Sequence, residues 1–330
     1  MAAPIVRWGI IGPGGIAERF AAAMRLVEGG EIVAVASRSK RRGRDFAKRH
    51  GVARAYEGSE GLLADADVDA VYVATPHVRH EADALAALAA GKHVLCEKPF
   101  ALDADQARRM ADAARAADRF LMEAMWSRFL PPYRILRELL DAGAIGQPLV
   151  VEADFGFRAR FDPHHRLFDP ALGGGALLDV GIYPVQLCCD VLGPPDRVVA
   201  DGVVGETGVD ELVAAVLHHR DGGLGIAKAA TRASLANTAR ITGTDGWIDL
   251  PAPMHCPPSL ALHRADRVDA FDAPWEGDGL RFEIEEVHRC LAAGERESSV
   301  MPLAESVALM GVLDEVRRQL GVAYPASFAG

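Results

Sequence analysis

Cysteine is scarce and unpatterned: Cys96, Cys188, Cys189, Cys256 and Cys290 form no CxxC pair, and five is an odd number. A disulfide framework is disfavoured on that ground, and the thiols read as buried ones in a reducing compartment. Positive charge is not in excess either. The formal net charge is −10, which argues against nucleic acid or an anionic membrane surface as a general partner. The longest apolar runs, such as residues 84–90, are too short to cross a bilayer. No charged, then apolar, then small-residue pattern precedes the first strand, so no signal peptide is expected and the chain reads as cytoplasmic. Fixed-period repeats and low-complexity segments are also lacking. What is present, across 330 residues with half of them apolar and a quarter charged, is the balance of a two-domain globular protein.

Residues 5–11 form a short apolar run followed at once by Gly12-Pro13-Gly14-Gly15-Ile16-Ala17. This is a G-x-G-x-x-A turn between a strand and a helical pattern of Ile16, Phe20, Met24 and Val27. Gly12 permits the tight turn and Gly14 lets the backbone approach a pyrophosphate. Gly15 and Ile16 open the helix whose N–H groups would receive it, and Ala17 lets that helix pack closely. The second strand, residues 31–36, ends in Ser37-Arg38-Ser39 without the acid that would hold a ribose 2′-OH. Arg38 is followed by Lys40, Arg41, Arg42 and Arg44. Ser37, Arg38 and Arg42 are therefore assigned to a 2′-phosphate, and the expected cofactor is NADP(H) rather than NAD. The alternative is a solvated basic face on the next helix.

Strand and helix then alternate. A strand over 71–74 ends in Thr75-Pro76-His77, a helix covers 78–90, and a strand over 94–96 runs into Glu97-Lys98-Pro99. A helix over 103–117 and a strand over 120–124 follow. Parallel strands deliver ligand-facing groups at their carboxyl ends. Thr75, Pro76, His77 and His80 are thus expected to line the cofactor, and Glu97 and Lys98 stand where chemistry is done. By residue type alone Glu97-Lys98 could equally be a surface pair at a strand exit. His77 and His80 lack a third ligand at sensible spacing, so no metal is expected.

Composition shifts after Met125-Trp126-Ser127-Arg128-Phe129, with a helix over 131–142. Strand-like runs follow at 149–157, 198–204, 212–217, 224–230, 239–242 and 247–250. The fold class is therefore α/β: an N-terminal Rossmann fold over 1–124, then a C-terminal α+β domain over 125–330 on an open, mostly antiparallel sheet. One helix interrupts the strands at 173–189 and is apolar on nearly every face, so it should be buried. Asp179 and Tyr183 are four residues apart and share a face. Gly181 between them costs ~1 kcal/mol relative to alanine. Something polar could lie against this helix, or Asp179 could cap locally while Tyr183 is core. The closing helices, 280–293 and 303–320, are amphipathic and read as packing.

Gly12-x-Gly14-x-x-Ala17, Glu97-Lys98-Pro99 and Gly173-Gly174-Gly175-x-Leu177-x-Asp179-x-Gly181 resemble, in order and spacing, the glucose–fructose oxidoreductase/inositol dehydrogenase (Gfo/Idh/MocA) family over nearly the whole chain. The runs 122–129, Gly181-Ile182-Tyr183, 206–210 and Asn237-Thr238-Ala239 are similar to its dihydrodiol and D-xylose dehydrogenase branch. The resemblance implies a Rossmann domain for NADP(H) and an open-sheet domain through which dimers or higher oligomers form. It also implies hydride transfer at a carbinol or carbonyl carbon of a sugar or cyclic diol. It makes Lys98 the catalytic-site lysine, with Asp179 and Tyr183 beside it. Trp126 and Arg128 would contact the cofactor, and Trp126, Phe155, Asp179 and Tyr183 the substrate. Where many members carry a histidine four residues after the aspartate, this chain has Tyr183, as that branch does for proton transfer. NADPH-dependent ketosugar reduction is the alternative reading. A redox-neutral NAD-dependent glycosidase and a non-catalytic nucleotide-binding regulator come from other classes.

Overall fold

Short apolar runs alternating with amphipathic helices build a parallel sheet in the first part of the chain. The computed structural model describes residues 5–325, in two compact units: residues up to Phe129 together with 276–307, and residues 130–275 together with those from 308. The first unit contains β1 (Val6–Ile11), α1 (Gly15–Met24), β2 (Gly30–Ser37), α2 (Lys40–His50), β3 (Arg54–Glu57), α3 (Glu60–Leu63), β4 (Ala70–Val73), α4 (His80–Ala89), β5 (His93–Glu97), α5 (Ala104–Ala117) and β6 (Leu121–Ala124). The strand order is β3-β2-β1-β4-β5-β6, with every neighbouring pair parallel. The order reverses between β1 and β4. The crevice outside the carboxyl ends of those two strands is where such sheets bind ligands.

Trp8, Phe20 and Tyr72 tie β1, α1 and β4 together. All three are fully buried; Phe20 stacks on Tyr72 with ring centres 3.9 Å apart, and Trp8 meets Phe20 edge-on at 5.4 Å. Burial of side chains of this size contributes about 1.5–3 kcal/mol each. Helix starts follow local chemistry: the Ser39 hydroxyl accepts the Arg42 N–H at 3.4 Å to begin α2, and Asp103 accepts the Gln106 N–H at 2.7 Å to begin α5.

The second unit holds α6 (Pro131–Asp141), β7 (Pro148–Gly156), α7 (Ile182–Leu192), β8 (Pro195–Val204), β9 (Asp210–His219), β10 (Leu224–Ala230), β11 (Ala239–Gly243), β12 (Trp247–Leu250), β13 (Ser259–Arg264) and β14 (Arg267–Asp272). The sheet order is β14-β13-β12-β11-β7-β10-β9-β8, antiparallel except for the β7–β10 pair. The buried helix begins later than 173, with a π-helical turn over Leu177–Gly181 that leads into α7. Gly181 is there for contact: a Cβ would lie 3.0 Å from the Ala229 Cβ of β10. The stretch Pro170–Leu192 is long and apolar enough to cross a membrane, contrary to the expectation for apolar runs, yet 78% of its most apolar window is buried in the fold.

The chain closes with α8 (Arg281–Ala293) and α9 (Leu303–Leu320). Here the expected division into 1–124 and 125–330 differs from the two compact units, because 276–307 belong to the first unit. The Trp8 indole N–H donates to His288 Nε2 of α8 at 3.0 Å, and the Arg296 carbonyl accepts the Leu121 N–H of β6 at 3.1 Å.

Candidate active site

Gly12 follows β1 with φ +91°, and an added Cβ would sit 2.8 Å from the Ala74 carbonyl oxygen, so only glycine fits there. Gly14 and Gly15 are different: a Cβ on either meets nothing within 4 Å. No side chain caps α1, so its first backbone N–H groups are left for an anion. Ile16 is half-buried beside them, and Ser37, at the end of β2, is half-buried too. Arg38 and Arg42 are exposed just beyond, and β2 carries no acid at that end. An anion-accepting helix start beside a basic strand end fits a dinucleotide that bears an extra phosphate.

At the end of β5, Glu97 is buried. Its Oε2 accepts the Lys98 backbone N–H at 3.1 Å, and its Oε1 accepts the Tyr72 hydroxyl. Burial raises the Glu97 pKa, and the Lys98 charge opposes that rise. Lys98 is half-buried and its peptide bond to Pro99 is cis. His80 is fully buried, with Nδ1 2.8 Å from the Pro99 carbonyl oxygen and Nε2 2.9 Å from that of Thr75. It braces the ends of β4 and β5 from behind, and burial lowers its pKa. Glu123 of β6 is also fully buried and accepts the Phe100 N–H at 3.0 Å; burial pushes it up to about 7. Trp126 is buried, with the Arg19 guanidinium 5.1 Å from its ring centre.

In the second unit, Gly175 has φ +128° and passes so close to Asp210 that a Cβ would lie 2.5 Å from Oδ1. The other Asp210 oxygen accepts the Leu177 N–H at 2.6 Å and starts the π turn. Burial pushes Asp210 up to about 6. Asp179 on that turn is nearly buried and pairs with Arg166 Nη1 at 2.7 Å. Tyr183 is buried with its ring centre 5.6 Å from Phe155 and 5.2 Å from His255. Phe155 and His255 stack on each other at 4.3 Å. The loop bearing His255 is fixed by Met254, whose N–H donates to the Asn237 carbonyl at 2.7 Å and whose carbonyl accepts the Tyr133 hydroxyl at 2.8 Å. The result is a phenol set in an aromatic wall, one turn from a charge-paired aspartate.

The structure thus gathers Phe155, Asp179 and Tyr183 in one unit, and Glu97, Lys98 and Trp126 in the other. Thr75, Pro76 and His77 are half-buried beyond the end of β4. Two cofactor assignments change. His80 is fully buried against two carbonyls. Arg128 is buried too, donating to the Val300 carbonyl at 2.8 Å and to Glu305 at 2.5 Å. Neither side chain is exposed to line a cofactor. Tyr72, Arg166 and His255 were missed, because a strand tyrosine, an arginine among others in a loop, and a histidine between prolines carry no pattern. Among the described residues no group of three or more His, Cys, Asp or Glu side chains is arranged to hold a metal ion.

Comparison with known proteins agrees with the fold. Residues 6–125 match an oxidoreductase family with an NAD-binding Rossmann fold, and residues 133–249 match the GFO/IDH/MocA C-terminal domain. The chain is 40% identical over 329 residues to trans-1,2-dihydrobenzene-1,2-diol dehydrogenase of Danio rerio, covering 97% of this chain and 98% of the relative. It is 38% identical over 332 residues to the Homo sapiens enzyme of that name, at 97% and 98% coverage. Among solved structures, a 3-ketoreductase from Actinomadura kijaniata in complex with TDP-benzene and NADP superposes with a TM-score of 0.85 at 29% identity, covering 96% and 98% of the two chains. An aldose-aldose oxidoreductase from Caulobacter crescentus, at 23% identity and a TM-score of 0.86 over 96% and 97% of the two chains, shares the fold.

Proposed function

The chain belongs to the GFO/IDH/MocA oxidoreductase family, and on that premise we propose that it is an NADP(H)-dependent dehydrogenase acting on a carbinol of a sugar or cyclic diol. The Gly12–Gly15 turn and the start of α1 would take the pyrophosphate, and Arg38 and Arg42 the 2′-phosphate. When bound, the cofactor supplies the hydride acceptor or donor. The residues of the chain supply the proton chemistry. Tyr183 takes the hydroxyl proton during oxidation and returns it during reduction. A free phenol, at about pKa 10, is a poor base at neutral pH. A cation beside the phenol would favour the phenolate, and Lys98 is the lysine this reading assigns to that role. Asp179, held by Arg166, orients the substrate hydroxyl.

The observation that carries this reading is the Tyr183 phenol in its wall of Phe155 and His255, with Asp179 one turn away. Apolar rings exclude water and present a sugar or diol face with a surface to pack on, while one polar group reaches its hydroxyl. Solved forms of the A. kijaniata ketoreductase include one with a tyrosine changed to phenylalanine and one with a lysine changed to alanine, the two residue types invoked here. That likeness also favours a second reading, ketosugar reduction, in which the same residues work in reverse.

Tyr183→Phe removes one oxygen and keeps the ring stack. It is expected to lower kcat by about 100-fold or more, the scale of a lost general acid–base group, with cofactor affinity retained. Turnover within a few-fold of the parent, with cofactor still bound, contradicts the proton-transfer role.

A further inference from the structure

The glycine turn that leads into Asp179 and Tyr183 is held from several sides. Gly174 and Gly175 donate their N–H groups to the Asp169 and Leu167 carbonyls at 3.0 and 2.9 Å. A Cβ on Gly174 would lie 3.0 Å from the Arg166 carbonyl oxygen, so the turn also packs on the residue that pairs with Asp179. Asp210 accepts the Leu177 N–H just beyond it. A further contact comes from the end of the chain: the Tyr324 hydroxyl donates to the Gly174 carbonyl, 150 residues away in sequence. Tyr324 is placed for this by α9. The Val322 N–H donates to the Arg317 carbonyl at 3.0 Å, and the Arg317 guanidinium lies 5.0 Å from the Tyr324 ring centre. A Cβ on Gly175 would lie 3.3 Å from the Tyr324 hydroxyl oxygen and 2.5 Å from Asp210 Oδ1, so phenol and carboxyl meet on one glycine. All of these groups belong to the second unit.

We propose that Tyr324 is a positioning residue, a C-terminal latch whose hydroxyl fixes the glycine turn and, through it, both partners of the Arg166–Asp179 pair. A run of three glycines resists backbone movement least, and a turn carbonyl that loses its donor is free to swing towards water. Arg166 lies against the turn through Gly174 and Gly175, which bond residues 167 and 169. Asp179 hangs from the other side, its N–H donating to the Gly175 carbonyl at 3.3 Å. A shift of the turn therefore moves Arg166 and Asp179 apart, and Asp179 with Tyr183. Burial and the neighbouring Asp210 hold the Tyr324 hydroxyl above the ordinary phenol range, so it stays a donor. The link to catalysis rests on the proposed roles of Asp179 and Tyr183; the latch itself does not.

Amide hydrogen exchange of the cofactor-free protein reads the latch directly. Tyr324→Phe keeps the ring beside Arg317 and removes the donor. Amides within 174–183 are expected to exchange about fivefold faster, the scale of one lost hydrogen bond, with β9 and β10 unchanged. Gln319→Ala controls for general loosening of α9. It removes two bonds to β8, with the Ala200 N–H and the Val198 carbonyl at 2.8 Å each, and is expected to lower the melting temperature without faster exchange in 174–183. Unchanged exchange in Tyr324→Phe, or equal acceleration in Gln319→Ala, overturns the latch. For the positioning role, Tyr324→Phe is expected to lower kcat about fivefold with KM for NADP(H) within about twofold. Where Asp179→Asn has already removed the charge of the pair, Tyr324→Phe is expected to change kcat by less than about twofold. Parental kcat, or the same fold loss with and without Asp179→Asn, overturns the positioning. Full turnover in both Tyr183→Phe and Asp179→Asn sinks the catalytic reading instead, and the exchange rates still decide the latch.

Discussion

Arg38 is exposed just past β2 and its removal disturbs no core contact, so its contribution to binding can be isolated. Arg38→Ala is expected to weaken NADPH about tenfold or more and NADH less than about twofold, because only the former offers a 2′-phosphate to a guanidinium. Fluorescence titration of both reduced cofactors checks this, and equal weakening contradicts the assignment. Residues such as Gly12, Arg38, Lys98 and Tyr183 could be singled out from the sequence because their proposed roles depend on type and place along the chain. His255 was not, since it reaches Tyr183 only through packing between segments far apart in sequence. His80 and Arg128 misled for the complementary reason: a charged or titratable type at the right place along the chain can still face inward and serve backbone carbonyls.

Among the elements, the two glycine-rich turns look alike in sequence and behave differently in the fold. Gly14 has an extended backbone with open space around its Cα, whereas Gly175 has positive φ and Asp210 against it. Gly175→Ala is expected to cost about 2 kcal/mol or more, since backbone strain and a clash add. It would also dislodge the Leu177 cap that starts the helix bearing Asp179 and Tyr183. Gly14→Ala is expected to leave the melting temperature nearly unchanged and to weaken NADPH about tenfold or more, as its methyl group fills the space a phosphate needs. Thermal melts and cofactor titration of the pair would separate them; equal melting losses contradict the distinction. Strands with alternating or continuous apolar residues were legible. The short strands β3 and β14 were not, because they are largely exposed and their partners, not their own composition, make them strands.

At the scale of the whole molecule, the alternation of strand and helix announced the Rossmann unit, and the run of strands announced the mixed sheet. The return of residues 276–307 to the first unit was hidden, since an amphipathic helix does not state which core it covers. The proposed chemistry predicts a reaction in which cofactor and substrate change oxidation state together. The measurement that tests this most directly is the change in nicotinamide absorbance with a panel of aldoses, ketosugars and cyclic diols, run with NADP(H) and with NAD(H). The expected result is net, substrate-dependent oxidation or reduction of NADP(H), faster than with NAD(H), by at least one sugar or diol. Product formation with no net change in the cofactor, or turnover favouring NAD(H), would contradict it.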